Sequence, residues 1–240
     1  MKKNRIRFSP AISKIFSVLI ALSFMTSFGA YALENENGVE EAEKITEAFV
    51  KDAKCSVISD SNGKPVILLT KEEALPNVKS NENQYVKTTV AILPSSDQEK
   101  EKIIQEIGAV TRGVGNHTED GWFFGSSVYL STTINYTIRD TVTKRYGNIN
   151  YVKISCSTNS GTQITSMSLY MGQLGPSENN GAVSQEKIFN ATTARTIYAP
   201  SNWVPIVWED LTSSAGAHLT ATAKRSSGAT STFTLYNSLV

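Results

Sequence analysis

The sequence predicts a mainly β protein: an antiparallel β-sandwich over residues 112–240, preceded by a small α+β region over 33–111. Three observations predict it. Val128, Leu130, Thr132, Ile134, Tyr136 and Ile138 alternate with Tyr129, Ser131, Thr133, Asn135 and Thr137, the period of a strand with one buried face. Turn chemistry then recurs at Gly147-Asn148, Asn159-Ser160-Gly161, Asn180-Gly181 and Ser227-Gly228, as short antiparallel strands require. Finally, 35 of the 129 residues from Arg112 onward are Ser or Thr, whereas the stretch before them is acidic and carries helix signals.

The elements follow in order. Residues 1–32 have the layout of a secretory signal peptide. Lys2, Lys3, Arg5, Arg7 and Lys14 precede the apolar run Ile15 to Phe24, and Ala30-Tyr31-Ala32 supplies a small-x-small cleavage site. The run is interrupted by Ser and no basic stop follows it, so no integral membrane span is expected after its removal. Val39, Ala42, Ile45, Phe49 and Ala53 share one helical face, which predicts a helix over 39–53. Strands are expected at 55–59 and 64–70 around the turn Asp60-Ser61-Asn62-Gly63, and at 85–93 before Pro94. Ser96-Asp97-Gln98-Glu99 is a capping box: the Ser oxygen can accept the third helical N–H while Glu reaches back. A helix burying Ile103, Ile104 and Ile107 follows.

Gly108, Gly113, Gly115 and Gly121 mark a junction near residue 111. Beyond it, strands are expected at 128–138, 149–157, 163–171, 203–208, 217–224 and 230–237, with Pro205 consigning 203–208 to an edge or a bulge. Gly172 to Ser184 is polar and Gly-rich, and reads as a surface loop.

Charge and composition exclude several classes. The whole chain carries 23 basic and 22 acidic residues, so there is no basic footprint for nucleic acid. Two cysteines exclude a disulfide-dense scaffold and a multi-Cys zinc site. The charge is uneven, however: 33–111 holds 15 acids and 9 bases, and 112–240 holds 7 acids and 9 bases.

Chemistry has few places to reside. His117 lies in a polar loop near Glu119 and Asp120, a spacing that matches no metal motif; a solvated linker is the better reading. His218 has Asp210, Ser213 and Ser214 nearby in sequence, but triads are geometric, and no Gly-x-Ser-x-Gly elbow is present. No catalytic residue, metal site or cofactor is therefore assigned. Cys55 and Cys156 could join in an oxidising exterior and tie the two regions together; the alternative is two unpaired thiols. Trp122, Tyr129, Trp203, Trp208 and Tyr236 are the candidate ligand-binding aromatics, because rings among Ser, Thr and Asn suit a carbohydrate-binding or self-associating face.

The resulting expectation is a secreted, non-enzymatic β-sandwich that binds or assembles at the cell envelope, with cell-wall glycan or a second copy of itself as partner. The alternative is a secreted toxin or antimicrobial protein made with 33–111 as an acidic pro-segment.

Overall fold

The computed structural model describes residues 46–60, 63–76, 82–112, 128–158, 161–179 and 181–240. The leader, the junction beyond Arg112, His117 and Trp122 lie outside the described residues.

Two antiparallel sheets face each other. In the first, β1 (Lys54–Ser59), β2 (Pro65–Ala74), β3 (Glu82–Leu93), β4 (Val128–Asp140) and β5 (Arg145–Thr158) pair in sequence order. The short strands β8 (Arg195–Tyr198) and β9 (Ile206–Val207) both pair with the far side of β5. The second sheet has the order β11 (Thr230–Ser238), β10 (Ser214–Arg225), β6 (Thr162–Pro176), β7 (Ala182–Ala191). The chain therefore crosses to the second sheet after β5, returns for β8 and β9, and crosses again. Among the described residues no helix is long and apolar enough to cross a membrane.

Alternation places the core. Leu130, Ile134, Val152 and Ile154 of the first sheet are buried against Met167, Leu169, Leu219 and Leu235 of the second. The first sheet has a second dry face. Two helices, α1 (Glu47–Asp52) and α2 (Asp97–Thr111), set Val50, Ile103, Ile107 and Val110 against Ile67, Leu69, Val90 and Ile92. That is why β2 reads as a nearly continuous apolar run: both of its faces are covered. The Ser96 half of the capping box forms at the start of α2, where Glu99 N–H donates to Ser96 Oγ, while the Glu99 carboxylate reaches one residue past the cap and accepts from Ser95 N–H.

Polar side chains stitch the two edges of the sandwich. Asn237 Nδ2 donates to Lys87 O at 3.1 Å and Thr132 O at 3.0 Å, and Lys87 Nζ returns a bond to Ser238 O. On the opposite side Gln173 and Gln185 each donate to Val204 O at 2.9 Å.

Four expectations need correction. The first sheet runs straight through the expected boundary at 111/112: β3 from the acidic stretch pairs with β4 from the Ser/Thr-rich stretch over twelve positions, Glu82↔Arg139 to Leu93↔Val128. The composition changes there, but the sheet does not end. Gly172 to Ser184 is not a loop; it is the end of β6 and the start of β7, paired from Gly172↔Glu186 to Pro176↔Ala182. The strand expected at 203–208 shrinks to Ile206–Val207, since Pro205 has no N–H for a ladder. Thr46, inside the helix expected over 39–53, is extended and caps α1, and residues 39–45 of that expectation lie outside the described residues.

Candidate functional site

The five candidate aromatics do not form one face. Tyr129 packs under α2 with the helix cluster, and burial, then Glu99, raises its phenol pKa. Trp203 is half-buried against the inter-sheet core. Trp208 is buried and stacks on Tyr136, with centroids 5.5 Å apart and planes 12° from parallel. Tyr136 in turn stacks on Tyr85 and donates its hydroxyl to Glu72. These rings are structural. Of the four that are described, only Tyr236 is exposed, at 63%.

Nor do the cysteines meet. Cys55 lies on β1 opposite Leu69, Cys156 lies on β5 opposite Leu130, and β2, β3 and β4 stand between them. At about 4.8 Å per strand step that is roughly 19 Å, well past the ~7 Å limit for a bridge. Both thiols are free, and the disulfide expected to tie the regions together does not form. The continuous sheet joins them instead. Burial pushes the Cys156 thiol up to about 11, which suits a small core residue and not a nucleophile.

The second sheet carries a face that the sequence reading did not assemble. Antiparallel register places Tyr236, His218, Tyr170 and Ile188 in a single row across β11, β10, β6 and β7. All four point away from the core, because their neighbours Leu235, Leu219, Leu169 and Phe189 point into it. His218 lies between the two tyrosines, with centroids 5.5 Å from Tyr170 and 4.6 Å from Tyr236; the Tyr236 contact is edge-on. The next outward row is Thr234, Thr220, Ser168 and Asn190, and the one beyond it contains Thr232, Thr222 and Ser166. Thr220 and Thr234 share a hydrogen bond of 2.9 Å, and Thr222 and Thr232 one of 3.0 Å.

On the other side of the ring row lie Gly216 and Gly172. A Cβ at Gly172 would sit 2.9 Å from the Tyr170 hydroxyl, so glycine is what lets that ring lean over its own strand. The hydroxyl then donates to Glu186 Oε2 at 3.3 Å. Burial first, then Glu186, pushes the Tyr170 phenol up to about 12, keeping it a donor. The crowding of rings removes water from around His218 and lowers its pKa, which favours neutral imidazole.

The hydrolase arrangement drawn around His218 is not assembled. Asp210 Oδ1 accepts from Thr212 N–H and Oγ1, and Ser213 Oγ donates to Val207 O. Ser214 is four residues along β10 from His218, roughly 13 Å away at strand rise. Among the described residues no group of three or more His, Cys, Asp and Glu is placed to hold a metal ion.

A narrow cleft opens between the sheets at one end. Val66, Leu130, Ile164 and Phe233 are among its apolar walls, with Asp60, Lys64 and Arg225 also lining it.

No protein-family model, no curated protein and no solved structure matches this chain.

The signal for the outer face was present but dispersed. Each of the three strands carries one ring at an outward position among hydroxyl residues. What joins the rings is strand register, which a single sequence does not display.

Proposed function

We propose that this is an exported, non-catalytic β-sandwich that binds glycan at the cell envelope through the outer face of its second sheet. The observation that carries the reading is the row Tyr236, His218, Tyr170, Ile188, flanked by ranks of Thr, Ser and Asn. A sugar ring has apolar C–H faces and a rim of hydroxyls. The C–H face stacks on an aromatic ring, and the rim exchanges hydrogen bonds with Ser, Thr and Asn side chains. A hydrogen-bonded sheet holds both sets in place, so little of the protein's own entropy is lost when an extended polymer lies down on it. The leader supports export, and the contacts around His218 favour stacking over proton transfer.

The pro-segment alternative has less support. Releasing 33–111 by a cut near 111 would strip β3 from β4 and expose a strand edge of twelve positions.

Retention on isolated cell wall and on solubilised wall glycan is the experiment. Wild-type protein is expected to be retained, and Tyr236→Ala and Tyr170→Ala each to weaken retention about three- to tenfold, the usual range for one aromatic contact. Equal retention of all three proteins, or none of the wild type, would contradict the reading.

A further inference from the structure

We propose that β1 is a docking edge for a second copy of this chain, the two β1 strands pairing antiparallel about a two-fold axis at Val57. This edge is remote from the row of rings and independent of the glycan reading.

All six residues of β1 are exposed, and among the described residues its only strand partner is β2. Val57 is 48% exposed on the helix side of the sheet and Ile58 42% on the sandwich side, so neither layer covers the strand. Edge strands are commonly protected by proline, a bulge or central charges. Here the register with β2 is unbroken from Lys54↔Thr70 to Ser59↔Pro65, and the one charged residue of β1 is at its start.

The backbone shows which amides point outward. Asp60 N–H donates to Lys64 O, closing the β1–β2 hairpin at a hydrogen-bonded pair. Pairs alternate along an antiparallel ladder. Ser59↔Pro65 is therefore a non-hydrogen-bonded pair, as Pro65 demands, having no N–H. It follows that Ser59, Val57 and Cys55 aim their N–H and C=O groups away from β2.

A two-fold axis at Val57 uses all three. Val57 faces the second copy's Val57, and Cys55 faces the second copy's Ser59 on either side, for about six hydrogen bonds. The same register sets Lys54 opposite the second copy's Asp60, twice, on the sandwich side of the sheet. Registers centred on Ser56 or Ile58 lose this charge match, placing Lys54 against Ile58 or Asp60 against Ser56. Charge complementarity thus selects both the partner and the register.

Cysteine trapping tests it in the full chain. In Ser59→Cys the new thiol faces the second copy's Cys55, at a spacing near 5.5 Å that a disulfide can span. Within one chain residues 55 and 59 are roughly 13 Å apart and cannot bridge. Mild oxidation is expected to give a covalent dimer from Ser59→Cys, and at least ten times less from wild type and from the equally exposed Ser56→Cys. Equal yields from Ser56→Cys and Ser59→Cys would overturn the register. The second measurement is sedimentation of wild type against Val57→Pro, which removes an N–H facing away from β2. A monomer–dimer equilibrium weakened at least tenfold by the proline, with the unfolding midpoint little changed, supports the pairing. A wild-type protein that stays monomeric at every concentration overturns it.

Discussion

At the residue scale, two positions show how locally the fold is determined. Gly147 on β5 lies directly beneath Trp208: a Cβ there would be 1.9 Å from ring carbon Cε3. The ring in turn is held by its stack on Tyr136. Gly147→Ala is therefore expected to destabilise the protein by about 2–3 kcal/mol through overpacking, read as a lower urea midpoint with unchanged slope. In the sequence Gly147-Asn148 read as turn chemistry, because a glycine needed for close approach and one needed for a turn look alike. The second position is His218. Crowding by the tyrosines lowers its folded pKa below the unfolded value of 6.5. Between those two values the unfolded chain holds an extra proton, so stability rises with pH there. On acidification the His218 contribution starts to be lost near pH 6.5 and is fully lost below the folded pKa. Urea midpoints measured from pH 7 to 5 are expected to fall less in His218→Phe than in wild type; parallel curves would count against this environment for the imidazole.

At the scale of elements, periodicity was a good guide wherever one face of a strand is apolar. The strands expected at 55–59, 85–93, 128–138 and 217–224 all form, and α2 starts at the expected cap. β7 escaped notice for a physical reason. Two of its inward residues are Gln185 and Lys187, whose side chains are occupied with Val204 O and Tyr198 O at the edge of the sandwich. A strand whose inner face carries polar groups has no hydrophobic period to read. Tyr129 was misread for a related reason: its side of β4 is polar further along, but α2 covers it at Tyr129. The capping box offers a clean test of element stability. Ser96→Ala removes the acceptor of Glu99 N–H and is expected to cost about 1 kcal/mol, measured by urea unfolding.

At the scale of the molecule, the shift in charge near 111 suggested two domains, whereas the sheet makes 46–60, 63–76, 82–112 and the later strands parts of one architecture. Composition reports what faces solvent; hydrogen-bonded pairing decides what folds together. The fragment 112–240 lacks β1, β2, β3 and both helices. It is expected to show no cooperative thermal transition, whereas the full chain does; a sharp transition in the fragment would restore the two-domain view. The candidate face was only partly legible. Tyr236 is a candidate from the sequence alone, but Tyr170 and the alignment of both tyrosines with His218 depend on two strand registers set by distant residues.

The central claim is that the outer face of the second sheet is where the protein meets glycan. The most direct measurement is a titration of the labelled protein with solubilised wall glycan, followed through the ring resonances of His218, Tyr170 and Tyr236. The account predicts saturable shifts at these three rings while the buried Trp208 and Tyr136 signals stay in place. Shifts confined to the inter-sheet cleft around Arg225 and Phe233, or no shifts at saturating glycan, would contradict it.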